Sequence, residues 1–265
     1  MRFSGLKIHI KNMVKRKVYS TTLVDNPQHD DIYIVEFPKS GVSWLSHIIG
    51  NLENILNGSD VKVNYYNQHK YVADVHQASN VAINRNCRER FFIKSHANFN
   101  PYYYFVVFLY RNPIDVMVSY FNFMKDNGHN LSFSEFIRDE SYGINGWISH
   151  YKSWKYDENR AQRMIFVKYE DLIKDTELEI RKIYERLGLD LEFECLNLAI
   201  ERSSLEVMKI EEEKYKSSNP NYNIGFVGKG GKIKKSDVLQ KEDYNFIINA
   251  LKIQGLEDLI DEFDI

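Results

Sequence analysis

The chain has 265 residues, 43% hydrophobic and 27% charged, with 18 Tyr, 16 Phe and 3 Trp, a composition that supports a large core and excludes disordered and collagen-like chains. Lys and Arg total 35 against 37 Asp and Glu, for a net charge of −2, which lacks the broad positive charge of a general nucleic-acid binder. The longest apolar run, Tyr102 to Tyr110, is nine residues, far below the roughly 18 to 20 that a membrane-crossing helix requires.

The size fits one domain over residues 1–265, with residues 1–25 as a basic N-terminal extension. Within it Arg2, Lys7, Lys11, Lys15, Arg16 and Lys17 occur without an acid, and Leu6, Ile10, Met13 and Val14 fit one apolar helical face. Docking of residues 1–17 on the protein body is the preferred reading, and weak peripheral contact with an anionic membrane is the alternative. The segment lacks the compact apolar stretch of a secretory signal. Cys87 and Cys195 are too few for a disulfide framework or a four-cysteine zinc site, so a reducing cytoplasm is the expected compartment and no metal is expected.

The first element is a buried strand over Ile32–Phe37, β-branched and aromatic, stopped by Pro38. A short loop, Pro38-Lys-Ser-Gly-Val-Ser43, leads into a helix whose apolar face is Trp44, Leu45, Ile48, Ile49, Leu52, Ile55 and Leu56, ended by Gly58. Residues 59–90 are polar and aperiodic and read as irregular structure or short helices. Phe91–Lys94 and Tyr103–Tyr110 are strands, the second apolar enough to be covered on both faces. Asn112 then caps a helix with Pro113 first and Asp115 third, continued by Val116, Val118, Tyr120 and Phe123. Trp147–Tyr156 is an aromatic helix, Met164–Lys168 a strand, and Leu178–Leu187 a helix closed by Gly188. This alternation predicts an α/β fold, a central parallel sheet flanked by helices.

Three sites carry chemistry. Lys39-Ser40-Gly41-Val42-Ser43 joins a strand to a helix, where backbone N–H groups and the helix dipole favour an anion and Lys39 adds a full charge, although the Walker spacing is absent. Arg111 emerges at the carboxyl end of the apolar strand, where open α/β sheets place ligand crevices, with Ser119 about two turns along the next helix. Lys94-Ser95-His96 follows a strand and sets an imidazole, a suitable general base, beside a lysine. Each piece alone also fits an ordinary turn, a sheet-capping arginine or a surface histidine.

Together they resemble the cytosolic-type sulfotransferases that use 3′-phosphoadenosine 5′-phosphosulfate (PAPS). Phe37-Pro-Lys-Ser-Gly-Val-Ser-Trp44 is similar to that family's 5′-phosphosulfate loop, and Tyr110-Arg-Asn-Pro-Ile-Asp-Val-Met-Val-Ser-Tyr120 to its 3′-phosphate motif. Ile93-Lys-Ser-His96 resembles the segment with the family's catalytic histidine, and Lys168-Tyr-Glu-Asp-Leu172 the one with an adenine contact. The resemblance implies a P-loop-like sulfotransferase fold, PAPS as donor, no metal, and in-line transfer of the sulfuryl group to a hydroxyl or amine. Lys39, Ser40, Gly41, Val42 and Ser43 would hold the 5′-phosphosulfate, Trp44 and Tyr169 the adenine, and Arg111 and Ser119 the 3′-phosphate. His96, Lys39 and Lys94 would be catalytic, with Lys94 orienting sulfuryl oxygens, and Ser119 would hold Lys39 back until the acceptor binds.

Toward the C-terminus Ser203-Ser204-Leu205 and Met208 resemble the segment before the family's closing loop, which places Ser203 among the donor contacts, with Leu205 where an aromatic usually stacks. In Phe226-Val-Gly-Lys-Gly-Gly-Lys-Ile-Lys-Lys235, Lys229 and Gly230 are retained, Gly228 stands where the family has arginine, and the following tryptophan is missing. Either donor affinity is reduced, or Lys232, Lys234 or Lys235 supplies the lost charge. The expected partner is a small-molecule alcohol, phenol or amine, lined by aromatics such as Tyr65, Tyr66, Tyr102, Phe121, Phe123 and Trp147 if these do not simply pack the core. No dimer signature is recognisable. The competing readings are an inactive PAPS-fold binding module and a P-loop kinase.

Overall fold

A computed structural model describes residues 22–64, 66–76, 91–156, 163–219 and 235–265. Its strands are β1 (Ile32–Glu36), β2 (Ala73–Asp74), β3 (Phe92–Ser95), β4 (Phe105–Tyr110) and β5 (Met164–Lys168). They form one sheet in the order β2-β3-β1-β4-β5, and every pairing is parallel. The register sets Val35 beside Ser95 and Glu36 beside Leu109, so the ends of β3, β1 and β4 are level. This is the parallel sheet expected from the alternating pattern. Within the described part of 59–90 the structure adds β2 and a single 3₁₀ turn at Gln68–Lys70.

The helices are α1 (Val42–Leu56), α2 (Pro113–Asp126), α3 (Phe133–Ile137), α4 (Ile144–Lys155), α5 (Tyr169–Lys174), α6 (Thr176–Leu187), α7 (Phe193–Arg202), α8 (Leu205–Ser218), α9 (Lys235–Val238), α10 (Lys241–Ile253) and α11 (Glu257–Phe263). Because strand side chains alternate, β1 sends Tyr33 and Val35 to one face and Ile32 and Ile34 to the other. The first face packs against α2, α3, α4, α10 and α11 through residues such as Met117, Phe136, Trp147, Leu251 and Leu259. The second packs against α1, α6 and α7 through Leu45, Ile49, Ile183 and Leu196. β1 and β4 are therefore covered on both sides, which accounts for their almost unbroken apolar sequence.

Helix ends follow local chemistry. The Asn112 side chain accepts from the amides of Ile114 and Asp115 with Pro113 in the first turn, and Asp175 caps α6 by accepting from Leu178. α6 ends at Gly188 in a left-handed conformation that costs glycine little. α1 begins at Val42, two residues before its first large apolar residue, so its first turn is part of the loop after β1. α11 returns to the sheet, where the Tyr110 hydroxyl donates to Glu262 Oε1 at 2.7 Å and Lys168 Nζ donates to the Glu262 carbonyl at 2.9 Å. Among the described residues no helix is long and apolar enough to cross a membrane.

In a fully parallel sheet the carboxyl ends of all strands lie along one edge. The segments after β1, β3, β4 and β5, which contain Lys39, His96, Arg111 and Tyr169, are thereby gathered there. Phe108, 1% exposed at the centre of β4, packs against the rings of His150, Tyr151, Trp154 and Phe166 and underlies that edge. Phe108→Ala is expected to lower unfolding free energy by about 3 to 5 kcal/mol, read by denaturant titration. A loss below about 1 kcal/mol would mean that the sheet is not packed on both faces as described.

Candidate active site

The loop between β1 and α1 turns through two left-handed residues, Lys39 at φ 76° and Gly41 at φ 116°. Ser40, fully buried, closes the turn: its hydroxyl and its amide both donate to the Phe37 carbonyl, at 2.8 and 3.2 Å. The Val42 amide, first in α1, donates to Glu36 Oε2 at 2.8 Å. α1 has no acidic residue in its first turn and Gly41 supplies no capping side chain. The amides of Lys39, Gly41 and Ser43 have no acceptor among the described residues, and the positive end of the helix dipole points the same way. The cradle suits an anion.

Two cations border it. Lys39 Nζ lies 4.6 Å from the centre of the Phe123 ring, and burial holds its amine below the usual lysine range. Phe123 is one turn beyond Ser119 on α2, which puts both on the helix face toward Lys39. Arg111 lies 4.5 Å over the Tyr169 ring, and its Nη1 donates to the Lys39 carbonyl at 3.4 Å. Arg111 Nε is buried with no hydrogen-bond partner among the described residues, an orphaned charged donor that an anionic ligand would satisfy. Tyr169 also meets Trp44 edge-on, with ring centres 6.3 Å apart. Trp44 is anchored by its indole N–H, which donates to the Ser203 carbonyl at 3.0 Å. Loop, guanidinium and two aromatic rings thus fit a phosphorylated nucleotide.

The third piece lies across β1 on β3. His96 Nδ1 is 3.3 Å from the Glu36 carbonyl and 3.7 Å from Glu36 Oε1. A carbonyl only accepts, so Nδ1 carries the hydrogen and Nε2 the lone pair. The His96 amide donates to His76 Nε2 at 2.8 Å, and the two rings stack with centres 5.5 Å apart. Burial, then the positive charge of Lys94, holds the His96 imidazole below its usual range, so it is neutral at physiological pH. Lys94 is paired with Asp74 of β2 at 3.2 Å. Burial also pushes the Glu36 carboxyl up to about 7, against the opposing pull of Lys94, the Val42 amide, Lys39 and Arg111.

The structure brings Lys39, Ser40, Gly41, Val42, Ser43, Trp44, Arg111 and Tyr169 to one place, with Ser119 on the adjoining helix face and Lys94 and His96 beside β1. Ser203 is fully buried as the C-cap of α7, where its hydroxyl takes a 3.3 Å bond from Asn51; it touches this group through its carbonyl on Trp44. Lys235 pairs with Asp115 at 2.9 Å in the first turn of α2. Lys229, Gly230, Lys232, Lys234, Tyr65 and residues 1–17 lie outside the described residues. Phe121 and Trp147 are core residues, Tyr66 stacks on Tyr215, and Tyr102 precedes β4 and so lies toward the opposite edge of the sheet. Of the described aromatics singled out for an acceptor, Phe123 is the one in contact with Lys39.

Sequence reasoning missed Glu36, Asp74 and His76. Glu36 had a visible signal, a carboxylate at the end of an apolar strand and directly before an anion loop. Asp74 and His76 had none, because a strand of two residues has no periodicity to read.

A Cβ on Gly41 would lie 2.4 Å from the Tyr169 ring at a φ that side chains rarely adopt. Gly41→Ala is expected to destabilise the fold by at least about 1 kcal/mol. Adding Tyr169→Ala should recover part of that loss, measured as a double-mutant cycle by thermal unfolding. Strictly additive effects would contradict the contact.

Comparison with known proteins places this geometry. The sulfotransferase domain family matches residues 29–252. Bovine sulfotransferase 1E1 is 28% identical over 198 residues, a match that spans 68% of this chain and 66% of that relative's length, just under two thirds. The fold is similar to the crystal structure of a mouse sulfotransferase complexed with PAP, at TM-score 0.61, 18% identity and 89% coverage of both chains. It is also similar to retinol dehydratase in a complex with retinol and PAP, at TM-score 0.65 and 18% identity over 89% of this chain and 83% of that one. With the family match covering most of its length, this chain belongs to the sulfotransferase domain family.

Proposed function

We propose that this chain transfers a sulfuryl group from PAPS to a hydroxyl or amine of a small molecule, with His96 as general base. The observation that carries the reading is the buried Arg111 Nε, without a partner among the described residues, beside an amide-lined loop and at the same sheet edge as a neutral histidine whose Nε2 lone pair meets no donor among those residues. The relatives' names and the PAP complexes of the structural neighbours support it.

PAPS supplies a sulfuryl group on a good leaving group, and a loose transition state leaves the protein to align the partners and neutralise charge. The loop amides and Lys39 bind the 5′ end, and Lys39 meets the negative charge that grows on the departing oxygen. To reach it, the amine leaves the Phe123 ring, on the helix face that also carries Ser119. Arg111 binds the 3′-phosphate, and Tyr169 and Trp44 flank the base. His96 takes the acceptor's proton at Nε2 while Nδ1–H stays on the Glu36 carbonyl, which fixes the ring. Lys94, held by Asp74, keeps positive charge beside the sulfuryl oxygens. Phe123 gives a flat or apolar acceptor a surface next to Lys39.

Two variants separate binding from chemistry. His96→Ala should leave affinity for 3′-phosphoadenosine 5′-phosphate (PAP) nearly unchanged and lower turnover by about 10² to 10⁴-fold, measured with labelled PAPS and an acceptor panel. Full activity in that variant would remove His96 as the base. Wild type should bind PAP more tightly than AMP in calorimetry, and Arg111→Ala should erase most of the difference, a loss of about 1.5 to 3 kcal/mol. Equal affinity of wild type for the two nucleotides would refute the 3′-phosphate site.

A further inference from the structure

The side chain of Glu36 has no task in the reaction as described, yet it occupies the centre of the site. It is 2% exposed, the last residue of β1, and its carboxylate holds the Val42 amide at the start of the anion loop. The charged and titratable groups around it come from every neighbouring segment. Lys39 belongs to the loop, Lys94 to β3, His96 follows β3, Arg111 follows β4, and the Tyr169 phenol opens α5. Behind these, Asp74 pairs with Lys94 and His76 packs on His96.

An anion in the loop draws on the same groups. Lys94, the Val42 amide, Lys39 and Arg111 favour the charged form of Glu36, and in the donor reading the Val42 amide and Lys39 also bind the nucleotide's 5′ end while Arg111 binds its 3′-phosphate. A buried carboxylate and a phosphate group sharing one set of cations repel each other, and the two cannot both be charged without cost. The carboxylate has an exit that the phosphate lacks, because it can be protonated without leaving its place.

We propose that Glu36 is a residue of the donor site and takes up one proton from solvent when the anionic nucleotide binds. The inference rests on the donor reading above. In the free protein the carboxyl titrates near neutrality, pushed up to about 7 by burial. Bound nucleotide takes over part of the favourable contact with Lys39, Arg111 and the Val42 amide and adds its own charge, so the carboxyl stays neutral in the complex. Its proton keeps one oxygen as acceptor for Val42 and turns the other into a donor. The sign follows from linkage: this group leaves affinity flat below about pH 7 and weakens it by up to about tenfold per pH unit above. The donor site would thus respond to pH in the physiological range.

Titration calorimetry of the full chain with PAP at pH 8, in Tris and in HEPES, reads the proton directly from the difference in heat. At that pH the nucleotide's phosphates, with second pKa values of about 6, are already ionised and contribute nothing. Wild type should take up close to one proton per PAP. Glu36→Gln, which keeps the shape and an acceptor for Val42, should take up none and bind PAP roughly tenfold more tightly than wild type at pH 8. His96→Ala, His76→Ala and Lys39→Arg remove the other nearby groups that could take up a proton, since arginine stays charged, and should keep the uptake. These three variants carry the assignment even if glutamine is not tolerated at position 36. PAP binding without proton uptake in wild type, or uptake that persists in Glu36→Gln, would overturn the proposal and leave the donor site standing. Absence of PAP binding by wild type would remove both.

Discussion

The hydrogen bond from the Val42 amide to the buried Glu36 carboxylate ties the end of the central strand to the start of α1, and the loop between them takes its shape from that tie. With both ends pinned, the intervening residues reverse direction through left-handed Lys39 and Gly41, and the amides of Lys39, Gly41 and Ser43 are left without an acceptor among the described residues. Gly41 cannot carry a side chain because Tyr169, from beyond β5, packs against its backbone. Tyr169 in turn supports Arg111, and Arg111 reaches back to the Lys39 carbonyl. One strand-end contact thus organises residues that are far apart in sequence.

The electrostatics of this edge suit an anion. Lys39, Lys94 and Arg111 all lie close enough to Glu36 to pull on its titration, while Asp74 neutralises Lys94 at 3.2 Å. Lys39 rests on the Phe123 ring, a weaker partner than a carboxylate, and the Arg111 Nε has no partner among the described residues. Like charges held together in a partly dry site are costly until a counter-charge arrives. A ligand with several phosphate or sulfate oxygens relieves that cost. Burial, and after it the charge of Lys94, keeps His96 neutral and so able to accept a proton.

Much of this was legible in the sequence because it depends on short-range chemistry. The apolar strands, the Lys39–Ser43 loop, the Asn112 cap and the Gly188 stop each act over a few residues, and the parallel sheet follows from their alternation. Resemblance to a family supplied what spacing alone left open, the link between Lys39, Arg111, His96 and Tyr169. What stayed hidden depends on contacts across the fold. Ser203 shares its segment with expected donor contacts, but the packing of α7 against α1 turns its hydroxyl to Asn51 and its carbonyl to Trp44. The Lys94–Asp74 pair needs β2, too short to announce itself. Glu36 looked like one residue of a strand until the loop folded over it.

The reaction proposed for this sheet edge is sulfuryl transfer from a 3′-phosphorylated nucleotide. The most direct measurement is incubation of the full chain with sulfur-labelled PAPS and a panel of small phenols, alcohols and amines, following the label. Label is expected in at least one acceptor, with an equimolar amount of PAP released. Tight PAP binding with no label transferred to any acceptor, and no acceptor-dependent release of PAP, would contradict it and leave a nucleotide-binding protein in place of an enzyme.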